Sequence, residues 1–404
     1  MIHFYDLPQN RNRVSFDSNF KEYLINKLVN KKIDYKIIRR LRRNNVNIKT
    51  VIEISRVLNL NLDNLEKKII WIGALNSKGL SKPKLPLNLN NRQGARFIAA
   101  IVNDGCLTNN RKDSYGRLMY DNFDKTIRTS IINDYLYIFG GKEEEVSFRD
   151  YDKKKFLEFP SVIRDFVFLI LKNKGPKSES NLDIPSFIKS SKENILGWIE
   201  QTIADEGNVN YNLNKYRREI VWRRSLDVSD LFSKPINKDT PFKKLPKNLR
   251  RLLYKKKCKL IEDEKSILNF LGIKYKLHNI GIYKTVKENI RTRWQISITK
   301  RENLVKLRKL INIPSLEKDN KFTNICNEFS RYKEPLIIKE KIINLGKNRK
   351  IFTSIDLKIA MNYSSVTNTY KWLKKFKEEG LIKKIKESSY GNGYYKKPAK
   401  YELI

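Results

Sequence analysis

Histidine and cysteine are nearly missing from this chain of 404 residues: it holds two histidines, His3 and His278, and three cysteines, Cys106, Cys258 and Cys326. The cysteines stand far apart and form no CxxC pair, which excludes a zinc ribbon or finger and leaves no disulfide framework to expect. Nucleases that activate water with histidine are excluded by the same scarcity. Hydrolysis by this chain would have to rest on carboxylates and a hard cation. Long apolar runs are missing as well. The longest, Phe166–Leu171, falls far short of the ~20 residues that span a bilayer. The opening MIHFYDLPQNRNR has no apolar signal-peptide core, so the expectation is an intracellular, cytoplasmic protein with no membrane partner. Neither a P-loop nor a dinucleotide fingerprint occurs.

Acid is the other shortage. Asp plus Glu number 44 against 84 Lys plus Arg, a formal net charge of +40. A charge that large favours a polyanionic partner over long distances, and nucleic acid is the commonest one. Hydrophobic residues at 40% and aromatics at 11% are enough for packed cores, so the chain is not a disordered basic tail. Its length allows two to four domains at ~100–200 residues each.

Residues 1–80 read as a helical segment. Tyr23, Leu24 and Leu28, then Ile37, Ile38 and Leu41, then Val51, Ile54 and Leu58 recur at helical spacing. A basic cluster that includes Lys36, Arg39, Arg40 and Arg43 falls at the junction of two of these short helices, where a helix-turn-helix presents its groove-facing side chains. The stretch ISRVLNLNLDNL resembles the last helices of the phage-repressor-like helix-turn-helix family. Residues 81–92, with Pro83 and Pro86, read as a linker. Residues 330–404 read as a helix ending at Gly346, a second helix capped by Thr353 or Ser354, and a third opened by Tyr363 and Ser364 with Val366, Tyr370, Leu373 and Phe376 on one stripe. A strand, a Gly-rich turn and a last strand follow. The junction LKKFKEEGLIKK is similar to the helix-to-wing junction of winged-helix regulators.

Two helices in the middle third end in an acid followed by glycine: GARFIAAIVNDG at 94–105 and ILGWIEQTIADEG at 195–207. After each comes the same order of strands, a helix closed by FG or LG, more strands and a helix. Such an internal repeat is the clearest organisational signal one sequence offers. On these motifs residues 93–315 resemble the LAGLIDADG homing-endonuclease family. Repeat one covers 93–175 and repeat two 192–315. The resemblance implies an α+β fold: a pseudo-twofold duplicated αββαββα domain, here between the helix-turn-helix-like segment and the winged helix. It places Asp104 and Glu206 as the catalytic and metal-holding acids, one per repeat, with Mg²⁺ as cofactor and Mn²⁺ as substitute. It also implies a monomer acting on double-stranded DNA. Asp205 and Lys300 are further candidates. In copy two, Gln201 and Asp205 stand where close helix packing wants small residues, a departure that bears on cleavage more than on fold. The alternative is a non-catalytic DNA-binding regulator on the same scaffold.

The strands after the second motif carry the candidate DNA contacts. Thr292, Trp294, Ile296 and Ile298 alternate with Arg291, Arg293, Gln295 and Ser297, a period of two that buries one face. Arg217, Arg223 and Ser225 likewise oppose Ile220, Trp222, Leu226 and Val228. Arg and Gln are the side chains that read guanine and adenine edges bidentately. The segment IEDEK, at 261–265, reads as a solvated helix face. If the charge serves phosphate contact, binding to duplex DNA should fall steeply with salt, with a log–log slope of magnitude above ~6. A titration across salt concentrations checks this, and a flat dependence would remove DNA as the partner.

Overall fold

A computed structural model describes the chain apart from residues 75–76, 108–115, 153, 173–180, 213–216, 233–238, 287, 331–334, 362–365, 388 and 391–395. It divides into two compact units, Met1–Cys326 and Asn327–Ile404. Both mix helices with antiparallel sheet. Among the described residues no helix is long and apolar enough to cross a membrane.

The N-terminal part of the first unit holds four helices: α1 (Ser18–Asn30), α2 (Tyr35–Arg42), α3 (Ile48–Leu58) and α4 (Leu62–Glu66). Each starts on a side chain that accepts a backbone N–H of the first turn: Asp17, Asp34, Asn47 and Asn61. The segment is not only helical, however. Strand β1 (Asn12–Phe16) pairs with β2 (Val46–Asn47) and β3 (Ile69–Ala74), and β3 pairs with β4 (Leu80–Ser81). Val14, Phe16, Ile69 and Ile72 of these strands are buried; a run as short as IIWIGA is compatible with either element until tertiary packing decides. Residues 81–92 are not a free linker. Leu87 and Leu89 are buried, Leu87 exchanges both backbone hydrogen bonds with Ile2, and Pro83 bridges to Gly140. The alternating leucines after Pro86 pin the segment to the core.

Helix α5 (Arg92–Asn103) is followed by β5 (Gly105–Leu107), β6 (Leu118–Asp121), α6 (Lys125–Phe139), β7 (Ser147–Tyr151), β8 (Lys154–Phe159) and α7 (Ser161–Leu171). The sheet order is β5-β6-β8-β7. After the short α8 (Ser186–Lys189) comes α9 (Lys192–Asp205), then β9 (Asn208–Asn212), β10 (Arg217–Asp227), β11 (Thr240–Pro241), α10 (Lys247–Lys255), α11 (Lys259–Phe270), β12 (Lys276–Lys284), β13 (Ile290–Ile298), α12 (Arg301–Arg308) and α13 (Leu316–Ser330). Here the order is β11-β12-β13-β10-β9. Glu264 of the IEDEK segment is fully buried rather than solvated. It sits in phase with Ile261, Ile267 and Leu268 on the inner stripe of α11 and meets a buried arginine there.

Helices α5 and α9 lie against each other as the centre of this unit. A Cβ on Gly197 would stand 2.2 Å from the Arg92 carbonyl oxygen, so glycine is what lets the two backbones touch. At the same end, buried Glu200 of α9 accepts from Arg92 Nε at 3.0 Å, Arg92 Nη2 at 2.5 Å and the Asn312 amide at 2.9 Å. Arg96 Nη1 lies 3.6 Å from Glu200, and Arg96 also donates to Asp134 of α6 through Nε at 2.9 Å. Burial pushes the Asp134 carboxyl up to about 6 against the pull of Arg96.

The second unit contains α14 (Pro335–Arg349), β14 (Ile351–Thr353), α15 (Ser354–Met361), α16 (Thr367–Glu378), β15 (Ile382–Lys386), the short pair β16 (Ser389–Tyr390) and β17 (Lys396–Lys397), and β18 (Lys400–Leu403). The three-stranded order is β14-β18-β15. Helix α14 does not end at Gly346: it runs on to Arg349, and Lys350 takes the left-handed position (φ 51). Gly346 instead lets the helix approach Leu403. Thr353 and Asp356 cap α15 reciprocally. Tyr363 and Ser364 lie outside the described residues. On α16 the buried face is Thr369, Leu373 and Phe376, with Tyr370 exposed. The Thr369 hydroxyl is spent on the Val366 carbonyl at 2.6 Å, which makes it tolerable inside.

Gly197→Ala should lower the unfolding free energy of the first unit by at least about 1–3 kcal/mol, the usual cost of overpacking, because the obstacle is backbone and cannot turn aside. Urea denaturation checks it, with Ala99→Gly on the facing helix as a cavity-forming comparison.

Candidate active site

Each of the two central helices ends on an acid as its C-cap: Asp104 after α5 and Glu206 after α9. The glycine that follows is fixed by space, not by a left-handed backbone. A Cβ on Gly105 would fall 2.5 Å from Ile101 Cα, and one on Gly207 2.4 Å from the Ile203 carbonyl oxygen. In both cases the chain turns back across its own last helical turn, so the acid is left at the rim while the next strand begins.

The helix ends meet through the residues just before these acids. Asn103 Nδ2 donates to Asp205 Oδ2 at 3.1 Å. Asp205 Oδ1 also accepts from the Tyr120 hydroxyl at 2.5 Å, from Gln201 Nε2 at 2.8 Å and from Asn122 Nδ2 at 3.4 Å. Gln201 reaches the Tyr120 oxygen too, at 3.3 Å. The two large polar residues of copy two are thus accommodated as a hydrogen-bonded network centred on the phenol of β6. Asn122 further donates to Asp104 Oδ2 at 3.2 Å, which joins the first acid to the same network. Burial, and then the Asp104 charge, push the Asp205 carboxyl well above the usual carboxylate range. Burial, and then Asp205, likewise raise the Tyr120 phenol.

Glu206 has different company. Its Oε1 is 3.5 Å from Nη1 of Arg224, a buried side chain on the core face of β10. Arg224 donates to Glu264 through Nε at 3.0 Å and Nη2 at 2.6 Å, and Trp222 Nε1 donates to the other Glu264 oxygen at 2.8 Å. Burial works against the guanidinium charge, but Glu264 and then Glu206 hold Arg224 above its ordinary value. One acid therefore sits among amides and a second carboxyl, and the other against a cation.

A lysine lies beside the end of α9, and it is Lys318 rather than Lys300. Lys300 is exposed at the N-terminus of α12 and makes no bond to the acids among the described residues. Lys318 of α13 instead donates to the last carbonyls of α9, Ala204 at 2.5 Å and Ile203 at 3.4 Å. Burial lowers its pKa, while Asp205, Asp104 and Asp124 pull the other way. No sequence signal marked Lys318. Arg224 was visible in principle, as an arginine in phase with Ile220, Trp222 and Leu226.

The expected contact strands share a face. Arg223 opposes Gln295 and Ser225 opposes Arg293 in the β10–β13 register. Arg223 Nε donates to Gln295 Oε1 at 2.9 Å, and the Arg293 guanidinium lies 4.2 Å above the Tyr283 ring. Arg291 opposes Asp227. The Arg217 backbone pairs with Asn212, and its side chain is outside the described residues. In the N-terminal part Lys36 and Arg39 are exposed on α2. Arg40 and Arg43 line a polar cavity of about 350 Å³ with Arg13 and Lys49, and Glu53 lies 3.5 Å from Arg40.

No family model matches the sequence, and no curated protein does. Among solved structures, one described as the homing endonuclease I-WcaI bound to its DNA recognition sequence is similar over 58% of this chain and 87% of that one. The identity is 11% and the TM-score 0.32, a likeness too slight to assign fold or activity.

A carboxyl whose folded pKa lies above its unfolded value (~3.9 for Asp) binds more protons in the native state. Its stabilisation is present at low pH and is lost as pH rises through the folded pKa. Asp205→Asn, with the Asn103 amide turned to accept, should therefore destabilise less, or stabilise, as pH rises from about 5 to above neutrality. Denaturant unfolding in chelator at several pH values measures this, and parallel pH profiles for both proteins would contradict it.

Proposed function

We propose that this chain is a site-specific endonuclease for double-stranded DNA, built on the two-repeat LAGLIDADG plan. The observation that carries the reading is the pair of touching helices α5 and α9, each ending in an acid and a space-restricted glycine, and each followed by an antiparallel sheet. The exposed face of β10 and β13, with Arg223, Arg293 and Gln295, supports duplex DNA as the substrate, since a two-stranded ribbon enters the major groove. Arg291 and Arg217 extend the same two strands. The N-terminal segment adds Lys36, Arg39, Arg40 and Arg43 as phosphate contacts. In the second unit, three helices with a three-stranded sheet and the β16–β17 pair support the winged-helix reading. The protein works as a cytoplasmic monomer without disulfides.

Asp104 and Glu206 offer oxygen donors, which suit a hard divalent cation, and both reach the surface: Asp104 is half-buried and Glu206 exposed. They would hold Mg²⁺, or Mn²⁺ in its place, and the bound ion would supply Lewis acidity toward a phosphodiester and an acidified water. The chain's own groups do the positioning. Asn122 orients the Asp104 carboxylate, Arg224 orients Glu206, and the Asp205 network locks the two helix ends together. Lys318 satisfies the terminal carbonyls of α9 beside the acids.

A DNA-binding regulator without cleavage is the second reading. The 3.5 Å contact of Glu206 with Arg224 favours it, because that acid already has a protein cation beside it. Incubation with a randomised duplex library, with and without Mg²⁺, followed by sequencing of bound and cut molecules, separates the two. On the best-bound site, Asp104→Asn and Glu206→Gln should each lower double-strand cleavage at least about a hundredfold, given that metal activation contributes several kcal/mol, with binding retained. Binding without cutting by the wild type would leave the regulator. Cutting by Asp104→Asn at the wild-type rate would move the chemistry elsewhere.

A further inference from the structure

The first residues of the chain fold back onto helix α4 and bring one of the two histidines against two carboxylates. His3 Nδ1 is 2.9 Å from Glu66 Oε2 and 3.7 Å from Asp63 Oδ1. All three ligand atoms lie within 4.8 Å of one another. Donors about 2.0–2.2 Å from a tetrahedral zinc ion stand roughly 3.4 Å apart, so these spacings need only small adjustment.

Each donor is already aimed. The His3 ring stacks on Tyr5 with centroids 4.8 Å apart and planes at 11°. The Phe4 amide donates to Glu66 Oε1 at 2.8 Å, which leaves Oε2 facing the imidazole. The Tyr5 hydroxyl donates to Asp63 Oδ1 at 3.0 Å. Outer bonds of this kind fix ligand orientation in metal sites.

The charge is also unbalanced. Glu66 is 2% exposed, a carboxylate taken out of water. Asp63 stands beside it, and Asp6 accepts the His3 amide at 2.8 Å. Among the described residues none of these three acids has a lysine or arginine within ion-pair distance; His3 alone faces Asp63 and Glu66. In a chain of net charge +40 this is a locally acidic spot. Burial, and then Asp63, push the Tyr5 phenol up to about 12. A buried carboxylate normally finds a cation or a metal.

We propose that His3, Asp63 and Glu66 bind one divalent transition-metal ion of the zinc or cobalt class, separate from the Asp104 and Glu206 site. The imidazole selects such an ion over Mg²⁺. Binding would replace the His3–Glu66 hydrogen bond with a bond from each side chain to the ion. The first residues would then be fastened to α4 through His3 and to the segment that enters α5 through Ile2 and Leu87.

The test is a Co²⁺ titration of the untagged full chain, stripped with chelator, followed by visible absorption and then by displacement with Zn²⁺. One equivalent that depends on His3 should bind, apart from any ion held at Asp104 and Glu206. His3→Ala should weaken that binding at least about tenfold, since even outer-shell losses cost 10–100-fold. Asp63→Asn alters an exposed carboxylate, so it should fold and show the same direction if Glu66→Gln does not. His278→Ala, Asp104→Asn and Glu206→Gln should leave this equivalent in place. The inference is overturned if the wild type binds no Co²⁺, if His3→Ala and Asp63→Asn titrate like it, or if His278→Ala abolishes the signal.

Discussion

The contact of helix α5 with helix α9 is the constraint on which the first unit depends. Gly197 lets backbone meet backbone at the Arg92 carbonyl. Because the helices are this close, whatever ends them is brought into one place. Asn103 and Asp205 then bond across the seam, and the acids that follow lie at its rim. Everything proposed for the site follows from that approach: two capping acids, two turns that only glycine can make, and a polar network filling the end of the seam.

The two acids are not equivalent in their surroundings, although their places on the helices are. Asp104 joins Asn122, Asp205 and Tyr120. Glu206 faces a buried arginine that Glu264 holds from behind. Local sequence explains the difference. Strand β6 supplies a tyrosine and the residue just after the strand is an asparagine, whereas β10 supplies Arg224 on the face turned toward the core.

Much of this was legible from the sequence, and the reasons are particular. Period-two alternation in IRTRWQISI gave the buried face of β13, and the acid–glycine endings gave the positions of Asp104 and Glu206, because each signal is local. The small sheet under the N-terminal helices was not legible: strands as short as β2 and β4 have no period to detect, and β3 is apolar throughout. Glu264 was read as part of a solvated face and Arg224 drew no reading, since a buried pair shows itself only when both partners are placed in phase with their apolar neighbours. Lys318 is legible from no pattern at all. It reaches α9 from more than a hundred residues away, and only the folded chain sets that meeting.

The Glu200 network has a consequence for how this molecule could be divided or recombined. Glu200 belongs to the later half of the first unit, whereas Arg92, Arg96 and Asp134 belong to the earlier half. Separated from the other, the later half would carry a carboxylate on an apolar helix face with no guanidinium to meet it, and breaking a buried pair by removing one partner typically costs about 3–5 kcal/mol. The earlier half would keep Asp134 for Arg96 but leave Arg92 without its main acceptor. A chimera that joins either half to a foreign one inherits the same deficit unless the incoming helix brings the matching charge at the matching turn. The halves are keyed to each other, and the key is electrostatic as well as steric.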